Sequence, residues 1–172
     1  MIEALFDAVS IFFNSQWGFI AFIALSVIAV FSFSKNKKVF LIALILAVVL
    51  SIGLKSFFGY SRPCETTGFE SQILCPDSDG FPSNHAVIAM VFAFGALGTV
   101  LFWPYAFLAI IIPLSRLWLE VHSLDQIAGG MAFGAMVFIA VFEINEKLFG
   151  SLYGKWDVDS LLEDNLLTKR VD

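Results

Sequence analysis

Long apolar stretches separated by short polar segments set the pattern of this chain. A helix of about 20 apolar residues crosses a hydrocarbon core of about 30 Å. Five stretches are candidates for such spans, at roughly 17–34, 38–58, 84–102, 104–119 and 124–145, and the fourth of them is short. The pattern therefore predicts an all-α fold, a polytopic membrane helix bundle with about five transmembrane helices.

The first residues are apolar on one helical face, but the stretch is too short to cross a bilayer. Apolar residues recur there at helical spacing: Ile2, Leu5, Phe6, Val9 and Phe13. This spacing predicts an N-terminal interfacial helix over residues 1–15, lying in the plane of the membrane surface. A short helix packed on the bundle fits the same pattern.

Composition supports a single integral-membrane domain over residues 1–172, with a transmembrane bundle at 17–145 and a cytoplasmic tail at 146–172. The chain is 59% hydrophobic and 15% charged, with a mean hydropathy of +0.85. It has no basic tract and a net charge of −5, which argues against nucleic acid as a partner. The N-terminus has neither basic residues nor a small-residue cleavage site, so we expect no cleaved signal peptide.

The ten Lys and Arg residues divide between the two faces that five spans create. Seven lie in the first turn or in the tail: Lys35, Lys37, Lys38, Lys147, Lys155, Lys169 and Arg170. Positive charge collects on the cytoplasmic side of a membrane. The other three, Lys55, Arg62 and Arg116, then lie together at the outer face. With a sixth span, the first turn and the tail would no longer lie on the same side of the membrane.

A polar loop at 59–83 joins the second and third predicted spans and holds both cysteines of the chain, Cys64 and Cys75. If this loop faces an oxidising compartment, a disulfide between the two is favoured. The alternative is a pair of free thiols.

Both histidines of the chain lie in polar clusters that also hold cations. A phosphate ester needs cations to hold its oxygens, a nucleophile to attack phosphorus and an acid to protonate the leaving oxygen. Lys55, Arg62 and Arg116 supply the cations, and His85 and His122 can share the roles of nucleophile and acid. The clusters therefore indicate phosphate chemistry.

Two further features of the clusters fit this chemistry. Ser83 and Asn84 stand where the third span begins, and a helix N-terminus offers free N–H groups to an anion. Asp125 follows His122 closely enough to bond one ring nitrogen and fix the tautomer. Glu120 is the alternative partner for that ring.

Three motifs in this order and spacing resemble those of the type-2 phosphatidic acid phosphatase superfamily. The family patterns are Lys, six residues, Arg-Pro; then Pro-Ser-Gly-His; then Ser-Arg, five residues, His, three residues, Asp. The matching residues are Lys55, Arg62 and Pro63; Pro82, Ser83, Asn84 and His85; and Ser115, Arg116, His122 and Asp125. The chain departs from the pattern twice, because Asn84 replaces glycine and because two residues, not three, separate His122 from Asp125.

The resemblance implies a mechanism and a set of roles. His122 would attack phosphorus and form a phosphohistidine, Asp125 would orient His122, and His85 would protonate the leaving group. The implied phosphate-binding residues are Lys55, Arg62, Ser83, Asn84 and Arg116. The resemblance implies neither a metal nor a cofactor.

The resemblance also implies an enzyme of a bacterial inner membrane, a multi-pass protein with its active site facing the periplasm. Its substrate would be a membrane lipid phosphate that enters laterally from the bilayer. Lipid A 1-phosphate and undecaprenyl pyrophosphate are favoured, and phosphatidylglycerol phosphate is the alternative. A lipid phosphotransferase would use the same residues, and a non-catalytic lipid-binding protein would use the cations alone.

Overall fold

The computed structural model describes residues 2–66 and 75–153, and these residues form helices joined by turns and loops. The helices are α1 (Ile2–Asn14), α2 (Gln16–Phe33), α3 (Lys37–Phe58), α4 (Pro63–Thr66), α5 (Asn84–Gly95), α6 (Phe102–Trp118) and α7 (Leu124–Tyr153).

Among the residues that the structure describes, three helices are long and apolar enough to cross a membrane: α2, α3 and the part of α7 that ends at Leu148. The helices α5 and α6 are shorter but also apolar. Large apolar side chains such as Leu25, Ile45 and Val49 are exposed on the long helices, as lipid-facing residues would be. The predicted all-α membrane bundle is confirmed.

The core of the bundle lies around α5, which packs against α3, α6 and α7. Two glycines of α7 allow its backbone to lie close to the backbone of α5. A Cβ atom on Gly130 would lie 2.7 Å from the carbonyl oxygen of Ser83, and one on Gly134 would lie 2.5 Å from that of Val87. Since no side chain fits there, α7 packs tightly along the first turns of α5 and fixes the position of its N-terminus.

Two predicted boundaries differ by several residues from those in the structure. The third span was predicted to reach residue 102, but α5 ends at Gly95 and residues 96–101 form turns. Gly98 has a φ of +69° in these turns, a conformation that favours glycine. At the other end, α7 continues beyond 145 to Tyr153. Residues 154–172, most of the predicted cytoplasmic tail, lie outside the described residues.

The N-terminal helix α1 packs against α6 and α2. Ser10 and Phe13 are buried in this contact, whereas Leu5, Ile11 and Phe12 are exposed on the opposite side. The helix is therefore docked on the bundle, as the second interpretation of its sequence pattern holds, and it also presents an apolar outer face.

Candidate active site

Six of the predicted site residues meet around one cavity of about 240 Å³. The cavity lies where α3 and α6 end and α5 begins. It is lined by Asn14, Lys55, Arg62, Pro76, Ser78, Asn84, His85, Arg116, Val121 and His122. Both histidines and the cations Lys55, Arg62 and Arg116 therefore share one space.

Lys55 lies in the last turn of α3 and is buried. Its ammonium group donates a hydrogen bond to the backbone carbonyl of Asp79, in the loop that leads to α5. This bond ties the loop to α3 and holds the positive charge at the cavity wall.

Arg62 is buried and is held by two segments of the chain. Its Nε donates to the Ser78 carbonyl oxygen at 2.6 Å and its Nη2 to the Ser78 hydroxyl at 3.0 Å. Its Nη1 donates to the Val121 carbonyl oxygen at 2.9 Å and lies 3.1 Å from Nε2 of His122. Since a guanidinium carries five donors, these contacts leave one donor on Nη2 for a further oxygen.

Arg116 lies in the last turn of α6 and is almost completely buried, with 1% of its surface exposed. Its Nε donates to the Ser115 hydroxyl at 3.2 Å. Its two terminal nitrogens donate to α1, Nη1 to Oδ1 of Asn14 at 3.0 Å and Nη2 to the Ser10 carbonyl oxygen at 2.7 Å. The N-terminal helix therefore forms part of the environment of this cation.

His122 lies in the turn between α6 and α7 and is buried. Its Nδ1 lies 2.9 Å from Oε1 of Gln126, while Nε2 of Gln126 donates to the Ser61 carbonyl oxygen at 2.9 Å. Because only the amide nitrogen can donate to that carbonyl, Oε1 must face the ring, and the ring must donate through Nδ1. The lone pair of a neutral His122 is thus on Nε2, where it accepts from Arg62.

The charge state of His122 follows from its surroundings. Burial, together with the neighbouring Arg62 cation, lowers the pKa of His122 to about 3. The imidazole is therefore neutral at physiological pH, and its Nε2 lone pair is suited to nucleophilic attack.

The contact predicted between Asp125 and His122 is wrong, because Gln126 makes it. Helix α7 begins at Leu124, and its first turn points the Asp125 side chain outward, where it is exposed beside a shallow surface pocket with Tyr60. Glu120, the alternative partner, is exposed as well. Gln126 stands one turn beyond His122, so its side chain reaches back over the ring.

The side chain of Gln126 also caps α7. Its Oε1 accepts from the backbone N–H of Ser123 at 3.3 Å, as the side chain at the third helical position of a capping box does. One side chain therefore starts the helix and orients the imidazole.

His85 lies in the first turn of α5 and contacts α1 and α2. Its Nε2 lies 3.0 Å from the Phe13 carbonyl oxygen, and its ring stacks on Phe19 with 3.9 Å between the ring centroids. Because a carbonyl only accepts, Nε2 of His85 must carry a proton. Its Nδ1 is then the atom that can exchange a proton within the cavity.

Ser83 and Asn84 begin α5, as predicted, but only Asn84 lines the cavity. Ser83 is fully buried, and its backbone N–H donates to the carbonyl oxygen of Gln126 at 3.1 Å. Within residues 2–66 and 75–153, Oγ of Ser83 and Oδ1 of Asn84 are buried without a hydrogen-bond partner. Buried polar atoms usually have partners, and of these two only Oδ1 of Asn84 belongs to a residue that lines the cavity.

Cys64 and Cys75 form a disulfide, with 5.8 Å between their Cα atoms. The bridge joins the start of α4 to the segment that carries Ser78 and Asp79, whose backbone oxygens accept from Arg62 and Lys55. It therefore restrains the loop that holds two of the three cations.

Sequence reasoning missed Gln126 and Asn14. A signal for Gln126 was present, because three residues separate it from His122 and it stands where the family pattern has aspartate. No comparable signal marks Asn14, which is far from the motifs in sequence and reaches the site only because α1 docks against α6.

The helix bundle and the cationic, imidazole-containing cavity define a multi-pass membrane protein with a site built for an anion. The chain matches the PAP2 superfamily over residues 36–149, and it belongs to that superfamily of phosphatases. The predicted family is thus confirmed.

A solved structure supports the same fold. The chain is similar to a transmembrane PAP2-type phosphatidylglycerolphosphate phosphatase from Bacillus subtilis, with a TM-score of 0.60 and 19% sequence identity. The similarity covers 85% of this chain and 76% of that one. No curated protein matches the chain significantly by sequence.

Proposed function

We propose that this protein is a metal-independent lipid phosphate phosphatase that works through a phosphohistidine at His122. The observation that carries the proposal is the cavity itself, in which a neutral imidazole is surrounded by Lys55, Arg62 and Arg116. Three cations suit a tetrahedral anion, and they repel the divalent metal that other phosphatases use.

The first step of the proposed reaction is attack by the lone pair on Nε2 of His122 on phosphorus. The bond from phosphorus to the leaving oxygen breaks, and an imidazolium form of His85 gives that oxygen a proton from Nδ1. The Arg62 N–H that faces Nε2 of His122 is 3.1 Å away, so a phosphoryl oxygen can take over this donor as the lone pair attacks. Charge that develops on the oxygens is stabilised by donors already in place.

The second step hydrolyses the phosphohistidine. Neutral His85 accepts a proton from a water molecule through Nδ1, the water oxygen bonds to phosphorus, and the bond from phosphorus to Nε2 breaks. Inorganic phosphate leaves, and both histidines return to their starting states. Gln126 keeps the Nδ1 proton of His122 in place through both steps, because its Oε1 is fixed by the bond from its amide nitrogen to Ser61.

The position of the cavity supports a lipid substrate. It lies at the ends of apolar helices, and the exposed aromatic residues Phe57, Tyr60 and Trp118 flank this end of the bundle. Tyr and Trp side chains are enriched at the membrane–water interface. The phosphate of an amphiphile at that depth could reach the cations while its tails stay in the bilayer.

The distribution of cations in the sequence supports an active site at the outer face of a bacterial inner membrane. Lipid A 1-phosphate and undecaprenyl pyrophosphate remain the favoured substrates. Phosphatidylglycerol phosphate is the second candidate, because the structurally similar Bacillus subtilis protein is named for that activity.

The experiment that tests the function is phosphate release by the purified protein from a panel of these three lipid phosphates, with His122→Ala as the matched control. We expect release from at least one lipid, no release by the variant, resistance to EDTA, and inhibition by vanadate. Transfer of the group to an added acceptor lipid would identify a phosphotransferase. Activity lost in EDTA and restored by a divalent metal would contradict the proposal.

A further inference from the structure

The N-terminal helix α1 lies outside the part of the chain that matches the superfamily, which begins at residue 36. It nevertheless supplies three atoms to the described site. Asn14 and Ser10 accept from Arg116, and the carbonyl of Phe13 accepts from His85. The site is therefore completed by a helix that the motifs do not include.

The hydrogen bonds of Arg116 show what α1 does for this cation. Three of the five guanidinium donors are used, one by Ser115 and two by α1. Since Arg116 lines the cavity, the remaining donors, one on each terminal nitrogen, can bind two oxygens of one phosphoryl group. The α1 contacts fix the plane in which those two donors lie.

Asn14 differs from Ser10 because its side chain also lines the cavity. Arginine cannot accept a hydrogen bond, so Oδ1 is the amide atom that faces Arg116. The nitrogen of the same side-chain amide carries two N–H donors. Asn14 lines the cavity next to Arg116, so its amide lies beside any anion that Arg116 binds there.

A second set of contacts holds α1 in this position. Nε1 of Trp118 donates to Oδ1 of Asp7 at 2.8 Å, and Phe6 packs edge-on against the Trp118 ring with 5.5 Å between centroids. Trp118 ends the same helix that carries Arg116, so α1 and the cation are fixed to one rigid element.

We propose that α1 is a wall of the active site and that Asn14 orients Arg116 and binds the transferring phosphoryl group. The inference rests on the proposed function and extends it to a residue outside the matched part of the chain. A helix that only anchors the protein in the membrane would not need an amide in the cavity.

Two substitutions test this inference. Asn14→Ala removes both the acceptor and the donors, and we expect kcat/KM to fall about 10- to 100-fold, as when an orienting partner is lost. Asn14→Asp keeps an acceptor for Arg116, and hence the docking of α1, but places a negative charge beside the phosphate. We expect it to raise KM and the vanadate inhibition constant on the order of 100-fold.

Asn36→Ala is the matched control, because Asn36 precedes α3 at the opposite end of the bundle and its side chain makes no capping bond. We expect wild-type kinetics from it. Wild-type KM and vanadate inhibition in Asn14→Asp would overturn the inference while leaving the function intact, provided that His122→Ala is inactive. If the wild-type protein released no phosphate from any lipid, the proposed function itself would fail.

Discussion

Nδ1 of His122 and Oε1 of Gln126 are 2.9 Å apart, so the orienting partner of the proposed nucleophile is a neutral amide. The family pattern has aspartate at this position. A carboxylate would stabilise a charged imidazole, whereas an amide fixes the tautomer without adding charge. The ring is therefore held neutral by its surroundings and oriented by Gln126, and these two effects can be separated by mutation.

Gln126→Leu should lower kcat on the order of 100-fold, comparable with the loss found when a metal-bound histidine loses the partner of its other ring nitrogen. The substitution removes the acceptor for Nδ1 and leaves the Ser61 carbonyl without its donor. Gln126→Glu keeps the acceptor, so it should retain more activity than the leucine variant. Steady-state kinetics of both variants check this, and equal activity in the wild type and Gln126→Leu would show that the contact has no role.

The pKa of His122, lowered to about 3, predicts that its ring does not titrate between pH 5 and 8. We expect NMR of histidine labelled with ¹⁵N to show a neutral Nδ1–H tautomer at residue 122 across this range, assigned with a His122→Gln sample. In Gln126→Glu the added carboxylate should raise this pKa. Titration of His122 near pH 6.5 in the wild type would contradict the prediction.

The lowered pKa of His122 also predicts how the free energy of unfolding depends on pH. The unfolded chain binds this proton near pH 6.5, whereas the folded protein binds it only near pH 3. The free energy of unfolding should therefore fall as pH is lowered from 6.5 towards 3. Thermal unfolding in detergent should show a smaller acid sensitivity for His122→Gln than for the wild type.

Lys55→Met should lower kcat/KM on the order of 100-fold, because it removes one charge that stabilises the transferring phosphoryl group. It also removes the bond to the Asp79 carbonyl. Lys38→Met is the matched control, since Lys38 is exposed near the start of α3, at the other end of the same helix. Equal losses in the two variants would mean that Lys55 acts only through the overall charge.

Replacing both Cys64 and Cys75 by serine should lower the free energy of unfolding by about 3 kcal/mol in the chain-entropy picture of a short loop. Activity should fall as well, because the bridge restrains the segment whose Ser78 and Asp79 carbonyls hold Arg62 and Lys55. Unfolding temperature and phosphate release, each measured with and without reductant, check both effects. Wild-type protein in reductant should behave like the double variant.

The sequence predicted the helices well because the apolar stretches are long and their lengths are set by the membrane. The predicted starts of α2 and α3 each lie one residue from those in the structure. The end of α5 was missed, because apolar residues continue through the turns at 96–101 and hydropathy cannot distinguish a turn from a helix there. Gly95 at the end of the helix and Gly98 in the turns are the local signs of the break.

The motif residues that line the cavity were found because family spacing carries information about the site. The orienting residue was misassigned because a carboxylate was expected and Asp125 supplied one. Which residue faces His122 depends on where α7 begins, and that start is set by the cap that Gln126 forms with Ser123. The part played by Asn14 depends on how α1 docks, which is a matter of tertiary packing that no local pattern encodes.

The most direct test of the mechanism is to trap the phosphoenzyme. Wild-type protein mixed with its lipid substrate and quenched within milliseconds in alkali should carry phosphate that is labile in acid, as a phosphoramidate is. Mass spectrometry should place it on His122, and His122→Ala should carry none. Turnover by the wild type with no phosphohistidine, or with phosphate on His85 instead, would contradict the account.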